Sequence, residues 1–567
     1  MSSNSWRLYL PKTITVLREG YGVSRLRADL VAGVTVAIVA LPLSLALAIA
    51  SGATPERGLY TAVIAGFLIS LLGGSRYQIG GPTGAFVAVV FGVIQLHGYD
   101  GLVLATLMAG GILIAFGLSG LGTMIKYIPY PVVTGFTSGI ALLIFSSQVT
   151  DLLGLRIADM PGDFLGRAGA IVAHIGMLDP LTLTVGLVSI LLIFALRRMA
   201  PRLPGFLIAV VLGGLAVALF GLDVETIGSR FGELPRSLPA PALPAFDWPK
   251  IVAVVPAAFT IAFLAGIESL LSCVIADGMT GGRHRSNSEL VAQGAANIAS
   301  VLFGGIPATG ALARTATNIK AGGQTPFAGM IHAVVLLGIL FVAAPLAGYI
   351  PLTVLAGVLV VVAWNMSEVE SFRHLMRAPL GDRIVLVVTF LLTVLVDITV
   401  AVEIGVLLAM FLFLRRMIDA TVAVPQRGLL EDDVDDFIRP SDAALLRDHI
   451  LPPGAEAFQI NGPFFFGAAA RLNEVLDRLE KPPRVFILRL GRVPFIDASG
   501  AHALEEFIDR CRRHGTAVIL SGPRRQALRV LLRMGLIDRI GRRHVVPNFD
   551  RALALARAIA DPAVARS

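Results

Sequence analysis

Charge is scarce in this chain. Only 15% of its 567 residues are charged and 55% are hydrophobic, and the mean hydropathy is +0.77. That balance excludes a water-soluble fold for most of the length. Cysteine is nearly absent: Cys273 and Cys511 make no disulfide framework. There is no P-loop, no H-E-x-x-H, no G-x-S-x-G in a suitable context and no cluster of metal ligands. Neither an enzyme nor a bound metal or cofactor is expected. A secretory signal is missing too, because the N-terminus stays polar to Ala28 and the apolar run after it is too long for a cleaved segment. The net charge of +8 does not point to nucleic acid, since the basic residues sit beside apolar runs.

Apolar runs of about twenty residues are abundant, each long enough to cross a bilayer as a helix. The pattern predicts spans over 31–51, 59–72, 102–118, 132–149, 181–196, 207–220, 251–276, 290–302, 330–347, 351–364, 385–396 and 401–414. Two interrupted segments bring the total to about fourteen, or two sets of about seven. Residues 1–30, with Arg7, Lys12, Arg18, Arg25 and Arg27, read as cytoplasmic. Lys126, Arg197, Arg198, Arg202, Arg283, Arg285, Arg373, Arg377, Arg415 and Arg416 then fall on the same side, and the loop Leu222–Lys250 falls outside. The 59 glycines and 32 prolines exceed average usage and fit broken, closely packed helices.

The interrupted segments carry the functional signal. Phe303–Pro326 holds five glycines, two prolines, Arg314 and Lys320 within apolar surroundings. Pro307 lacks an N–H and pushes its predecessor out of helical geometry, so a helix is expected near Ala308. Such a helix start inside a bilayer must be buried in protein or line a cavity, and its partial positive charge suits an anion. Arg314 adds a full charge about two turns on. Arg76–Val87, R-Y-Q-I-G-G-P-T-G-A-F-V, repeats the pattern, with a short strand expected at Tyr77–Ile79 and a helix from Pro82. Either segment alone also fits a packing cluster of glycines. One in each half points to a transporter site.

Glu268 lies mid-span in F-L-A-G-I-E-S-L-L. A carboxyl there is costly and functional by default, and facing an apolar pocket it is held neutral, which makes it a candidate proton carrier. The alternative is a structural hydrogen bond to a neighbouring helix. Asp397 and Glu403 read as interfacial, His332 as structural, and His174 as part of a polar loop. After Arg416 an acidic stretch, E-D-D-V-D-D at 431–436, leads to a soluble pattern. Strands are expected at Ala457–Ile460, Val485–Leu490 and Ala517–Leu520, and helices at Ala468–Glu480, Ser499–Arg513 and Arg524–Met534. Alternating strands and helices make a small α/β domain.

Several segments together carry a resemblance: D-L-V-A-G-V-T-V-A-I-V-A-L-P at Asp29–Pro42, G-L-Y at Gly58–Tyr60, N-S-E-L-V-A-Q-G-A-A-N at Asn287–Asn297 followed by F-G-G-I-P-A-T-G-A-L-A-R-T, and F-I-D-A-S-G at Phe495–Gly500. The chain resembles the SulP family of anion transporters with a C-terminal STAS domain. Within it, E-S-L-L and A-W-N-M-S-E at Ala363–Glu368 are similar to bacterial C4-dicarboxylate members. The resemblance implies a polytopic α-helical membrane protein of two inverted seven-span repeats, split into core and gate, with an elevator motion. Residues 31–416 would be the transport domain, 417–453 a linker and 454–567 the STAS domain. It implies a small inorganic or organic anion held by Thr83, Gly84, Ala85 and Phe86 on one side and Thr309, Gly310, Ala311 and Arg314 on the other. Glu268 would couple transport to a proton or cation. Leu43 stands where many members have glutamine. That departure and the Glu268–Arg314 pair lean toward protons over sodium.

The resemblance also places the chain in the inner membrane as a homodimer, its N-terminus and STAS domain cytoplasmic and open to a protein partner. Ser499 matches a serine phosphorylated in sigma-factor regulators of the STAS fold, and equally suits a helix N-cap. Sulfate, a C4-dicarboxylate, bicarbonate and chloride all fit such a site. A membrane-bound anion sensor signalling through the STAS domain is the reading of a different class. A nucleobase permease is disfavoured by Arg314.

Overall fold

The structure, a computed structural model, describes residues 9–123, 129–157, 160–200, 203–245, 247–396, 398–420, 422–425, 451–465 and 482–560. Arg7, Lys126, Arg202, Asp397, the acidic run 431–436 and the helix expected at Ala468–Glu480 lie outside the described residues. The chain divides into two compact units, Met1–Ala409 and Met410–Ser567.

The first unit opens with a short amphipathic helix α1 (Lys12–Glu19), then α2 (Val23–Ala50) and α3 (Pro55–Leu72). Strand β1 (Gly80–Gly81) leads through a 3-10 turn, Gly84–Phe86, into α4 (Val87–Leu118). Next come α5 (Tyr130–Leu153), α6 (Phe164–Ala173), α7 (Pro180–Met199), α8 (Gly205–Phe220) and α9 (Ile227–Phe231). The second half runs α10 (Trp248–Thr280), α11 (Ser286–Leu302), β2 (Thr309–Gly310), α12 (Leu312–Lys320), α13 (Phe327–Ala347), α14 (Leu352–Met366), α15 (Val369–Leu375), α16 (Leu380–Leu395) and α17 (Ile398–Ala420). Among the described residues, eight helices are long and apolar enough to cross a membrane. Within α4, Gly98 takes φ 70°, a conformation that costs other residues dearly. It splits α4 into the short helix after β1 and the separate span expected at Leu102–Leu118.

Helices α2, α3, α4, α10, α11 and α13 pack on one another as one group; α5, α7, α14 and α16 form a second. The two broken segments meet inside the first. Gly80 pairs with Gly310 and Gly81 with Thr309 in a two-residue antiparallel ladder. Three expectations are corrected here. The strand is Gly80–Gly81, not Tyr77–Ile79; the helix after Pro82 begins at Val87; and the helix after Pro307 begins at Leu312 instead of Ala308. The reason is common to all three. The facing segments satisfy each other's backbone groups in extended form first, so helix is needed only beyond them. Residues before the ladder are extended as well, but they bond to α12: the Ala311 N–H donates to the Ile79 carbonyl at 2.8 Å, the Ile79 N–H to the Thr315 hydroxyl at 3.1 Å, and the Asn318 amide to the Tyr77 carbonyl at 2.9 Å.

Helix α2 also starts earlier than the Val31 expected from hydropathy. Asp29 explains this, because it is fully buried and accepts from the Gln324 N–H at 2.7 Å and the Thr325 N–H at 3.1 Å. A charge with that task needs no exit to water, so the helix continues through it. Tyr21, in the turn before α2, donates to Asp29 at 3.1 Å. Burial and the Asp29 charge push its hydroxyl up to about 12.

The second unit is a five-stranded sheet in the order β3 (Val422–Pro425), β4 (Ala455–Asn461), β5 (Val485–Arg489), β6 (Ala517–Ser521), β7 (Val545–Val546), parallel except for β3 against β4. Alternate residues of β5 feed two cores: Phe486 and Leu488 join Phe458 and Phe507, while Val485 and Ile487 join Ile519 and Leu553. Successive side chains of a strand face opposite ways, so a continuous apolar run such as Val485–Leu488 fills a core on each side. The helix expected at Ser499 runs Ala498–Arg513, and its N-cap is Asp497, not Ser499; Asp497 accepts from the Gly500 N–H at 2.6 Å. An aspartate one position ahead of the helix reaches that N–H, whereas Ser499 already lies inside the first turn, exposed. Cys511 is buried beneath this helix, and burial pushes its thiol up to about 12, so it is not a reactive thiolate.

Asp29→Ala leaves the buried Thr325 N–H and the partly buried Gln324 N–H unpaired in the turn before α13. The expected cost is about 1–3 kcal/mol per unsatisfied group, read as a lowered thermal unfolding midpoint of the detergent-solubilised protein. An unchanged midpoint would show that the turn does not depend on Asp29.

Candidate functional site

A cavity of about 370 Å³ lies between the two helix groups of the first unit. On the side of the broken segments it is walled by Leu43, Thr83, Gly84, Glu268, Gly310 and Arg314; on the opposite side Phe136, Phe206 and Met366 face them. Arg197, Asn365 and Glu368 border it where α7 and α14 end. There the Arg197 guanidinium donates to the Asn365 amide oxygen at 3.0 Å.

Arg314 is the chemical centre of this space. It is 3% exposed and points back from α12 to the ladder, where its Nη2 donates to the Pro82 carbonyl. Its Nη1 has no hydrogen-bond partner, and no carboxylate pairs with it among the described residues. A buried cation so placed is costly unless a counter-charge arrives. Gly81 makes room for it. Its φ is 151°, and a Cβ there would lie 2.5 Å from Arg314 Nη1. Glu268 stands on the same wall, half-buried. The Thr83 hydroxyl donates to its Oε2 at 2.9 Å. One cation and one carboxyl therefore share the ladder wall of this space, opposite Phe136, Phe206 and Met366, with Arg197 and Glu368 at its border.

The structure brings Thr83, Gly84, Gly310, Ala311, Arg314 and Glu268 together around the cavity. Three expected contacts fall elsewhere. Ala85 and Phe86 do not line it; they are fully buried beneath the turn that starts α4. Thr309 is buried and its hydroxyl donates to the Ala265 carbonyl at 2.9 Å, away from the cavity. For Thr309 the ladder sets this outcome, since successive side chains of an extended segment face opposite ways. His332 is fully buried, as its structural reading implies.

Sequence reasoning missed the support behind the site. Glu289, Gln293 and Asn297 recur every fourth residue of α11 and so share one face. Glu289 accepts from the Gly74 N–H at 2.9 Å, Gln78 at 3.0 Å, the Ser269 hydroxyl at 3.1 Å and Gln293 at 3.0 Å. Asn297 bonds both the N–H and the carbonyl of Ala308, each at 2.8 Å. The i, i+4, i+8 spacing of Glu289, Gln293 and Asn297 was the available signal.

The sequence profile described as the sulfate permease family matches residues 26–389, and that of the STAS domain matches 451–552. The chain belongs to the sulfate permease family. It is 41% identical to the candidate sulfate transporter YvdB of Bacillus subtilis (strain 168), over 94% of this chain and 98% of that one. It is 34% identical to the bicarbonate transporter BicA of Synechocystis sp., over 89% of this chain and 90% of the relative. The transmembrane domain of a cyanobacterial BicA superposes with a TM-score of 0.61, covering 69% of this chain and 98% of that domain at 33% identity. The fold of murine Slc26a9, in its inward-facing state, matches with a TM-score of 0.86 over 98% of this chain and 96% of that one, at 18% identity. The fold is thus that of a membrane transporter with a C-terminal STAS domain, and the family is one of transporters, not enzymes.

Arg314→Ala should weaken anion binding at least tenfold, the loss of one charge-assisted hydrogen bond of about 1.5–3 kcal/mol, with the thermal midpoint retained. Equal affinity for every transported anion would place Arg314 outside the site. Gly81→Ala should give the same loss by displacing Nη1 while leaving the charge in place. Binding at the wild-type level in Gly81→Ala would show that the guanidinium position is not critical.

Proposed function

We propose that this chain is a secondary active transporter that carries a small anion together with a proton across the cell's inner membrane. The single observation that supports it best is Arg314, a buried cation on the cavity wall with a free N–H and no carboxylate partner. The anion sits between the two broken segments, held by Arg314 and by the backbone around Thr83, Gly84, Gly310 and Ala311. Sulfate is the first substrate reading, in keeping with YvdB. A C4-dicarboxylate meets the same cation, with its carbon body against Phe136 and Met366. The similarity to BicA favours bicarbonate as the second reading.

Coupling rests on Glu268. Two negative charges close together in a poorly screened space repel. A proton on Glu268 therefore tightens anion binding, and by reciprocity the bound anion favours the protonated carboxyl. Proton and anion then cross together as the group bearing the ladder moves against the group bearing α5 and α14, in the manner of an elevator. The face that bears the arginines at the ends of the spans is assigned to the cytoplasm, and with it the N-terminus and the STAS domain. The working unit is taken as a homodimer, and exposed Ser499 as a point where a cytoplasmic partner acts. A sensor needs no such shared anion and proton site, which disfavours the regulator reading.

In proteoliposomes, labelled sulfate or bicarbonate uptake should rise as external pH falls. Glu268→Gln mimics the protonated form, so it should still exchange labelled anion across the membrane but lose accumulation driven by an imposed pH gradient. Accumulation in the Gln variant equal to wild type would assign Glu268 a structural role. A wild-type protein that shows neither counterflow nor uptake for any anion would remove the transport reading.

A further inference from the structure

A second cavity, of about 570 Å³, lies on the far side of α14 from the anion site. Its walls are aromatic: Phe145 of α5, Phe194 of α7, Trp364 of α14, Phe372 of α15 and Phe390 of α16. Phe372 and Phe390 meet edge to face with centroids 5.6 Å apart. Several of these rings remain open to the surroundings, with Phe145 44%, Phe194 42% and Trp364 64% exposed. One charge borders the groove. Arg373, exposed on α15, has no ion-pair partner among the described residues. Arg377 lies in the turn that follows α15.

The groove has the two ends of a phospholipid. Trp364 and Arg373 stand where α14 gives way to α15, at the end of the spans, a depth at which indole and guanidinium groups meet headgroups. Phe145 lies about two turns along α5 beyond Ser138, which meets the Ser367 carbonyl where α14 ends, and so about 10 Å further into the apolar zone. The first part of an acyl chain fills that length; a soluble anion has no use for it. We propose that this groove binds a phospholipid of net negative charge, its phosphate on Arg373 and one acyl chain along the aromatic wall. A basic pocket between helices on the arginine-rich side is the arrangement that recognises acidic headgroups.

The site has a route to transport. Helix α14 is shared, since Val362 and Met366 face the anion cavity while Ala363 and Trp364 face the groove. The elbow between α14 and α15 is held by Glu368, a non-glycine residue at φ 41°, a strained backbone position of the kind that persists where the surroundings over-determine it. The Ser138 hydroxyl pins the same elbow by donating to the Ser367 carbonyl at 2.7 Å. A lipid wedged behind this turn steadies the wall against which the bound anion rests.

The full chain in nanodiscs of phosphatidylcholine with graded phosphatidylglycerol tests this without reference to the transported anion. Native mass spectrometry of wild type should retain phosphatidylglycerol in preference to phosphatidylcholine. Arg373→Ala should retain about tenfold less, and Arg373→Lys should recover part of the loss. Retention by Arg373→Ala equal to wild type would overturn the proposal. A measurement on the unaltered protein guards against a variant that fails to fold. Brominated phosphatidylglycerol should quench tryptophan emission at a lower mole fraction than brominated phosphatidylcholine, and Trp364→Phe should abolish the difference. Equal quenching by the two lipids would show that the groove holds lipid without regard to charge, and would equally overturn it.

Discussion

Lipid offers no hydrogen bonds, and the first unit is arranged around that fact. Two helices are broken in mid-membrane, and each break frees backbone groups that must find partners within the protein. The ladder between β1 and β2 satisfies some of them. Side chains take the rest: Thr61 accepts from the Ile306 N–H at 2.7 Å, Ser300 donates to the Ile306 carbonyl at 2.8 Å, Asn297 serves both sides of Ala308, and Glu289 serves Gly74. The donors and acceptors come from α3 and α11, the helices flanking the breaks. Only after this accounting is complete can a few groups be left unpaired on purpose, and Arg314 Nη1 is one.

The site's electrostatics follow from its sparseness. A single guanidinium faces the cavity from the ladder side, with no lysine or second arginine beside it there, and a single carboxyl stands next to it. Leu43 contributes no polar contact. The apolar far wall keeps screening weak. Glu268 and Ser269 are consecutive residues of α10 that face opposite surroundings, one the cavity and the other the Glu289 network. Helix α10 is thereby fixed in rotation, and movement of the carboxyl requires movement of the whole group.

Much of this was legible in the sequence. The paired Gly–Pro interruptions, Glu268 in mid-span and Arg314 after the second break led to one cavity, because a charge in lipid and a broken helix each need a reason. Short strand-like runs alternating with amphipathic helices pointed to the C-terminal α/β domain. What the residues did not disclose was the ladder itself. Pro82 and Pro307 signal where helix cannot be, but the extended form beyond them depends on two segments more than two hundred residues apart finding each other, which no local pattern encodes. That contact moved both helix starts and turned Thr309 away from the cavity. The Glu289–Asn297 stripe was visible as a family signature, but its task required knowing what lay across from it.

The ladder is built from main-chain atoms alone. Gly80, Gly81, Thr309 and Gly310 hold the two halves together with groups that every amino acid possesses. Substitution at Leu43, Thr83 or Ala311 can therefore alter what the cavity accepts without loosening the frame that positions it. A lineage built on this frame can change its cargo by few and small steps, and the presence of sulfate and bicarbonate in the names of close relatives is the diversity such latitude allows.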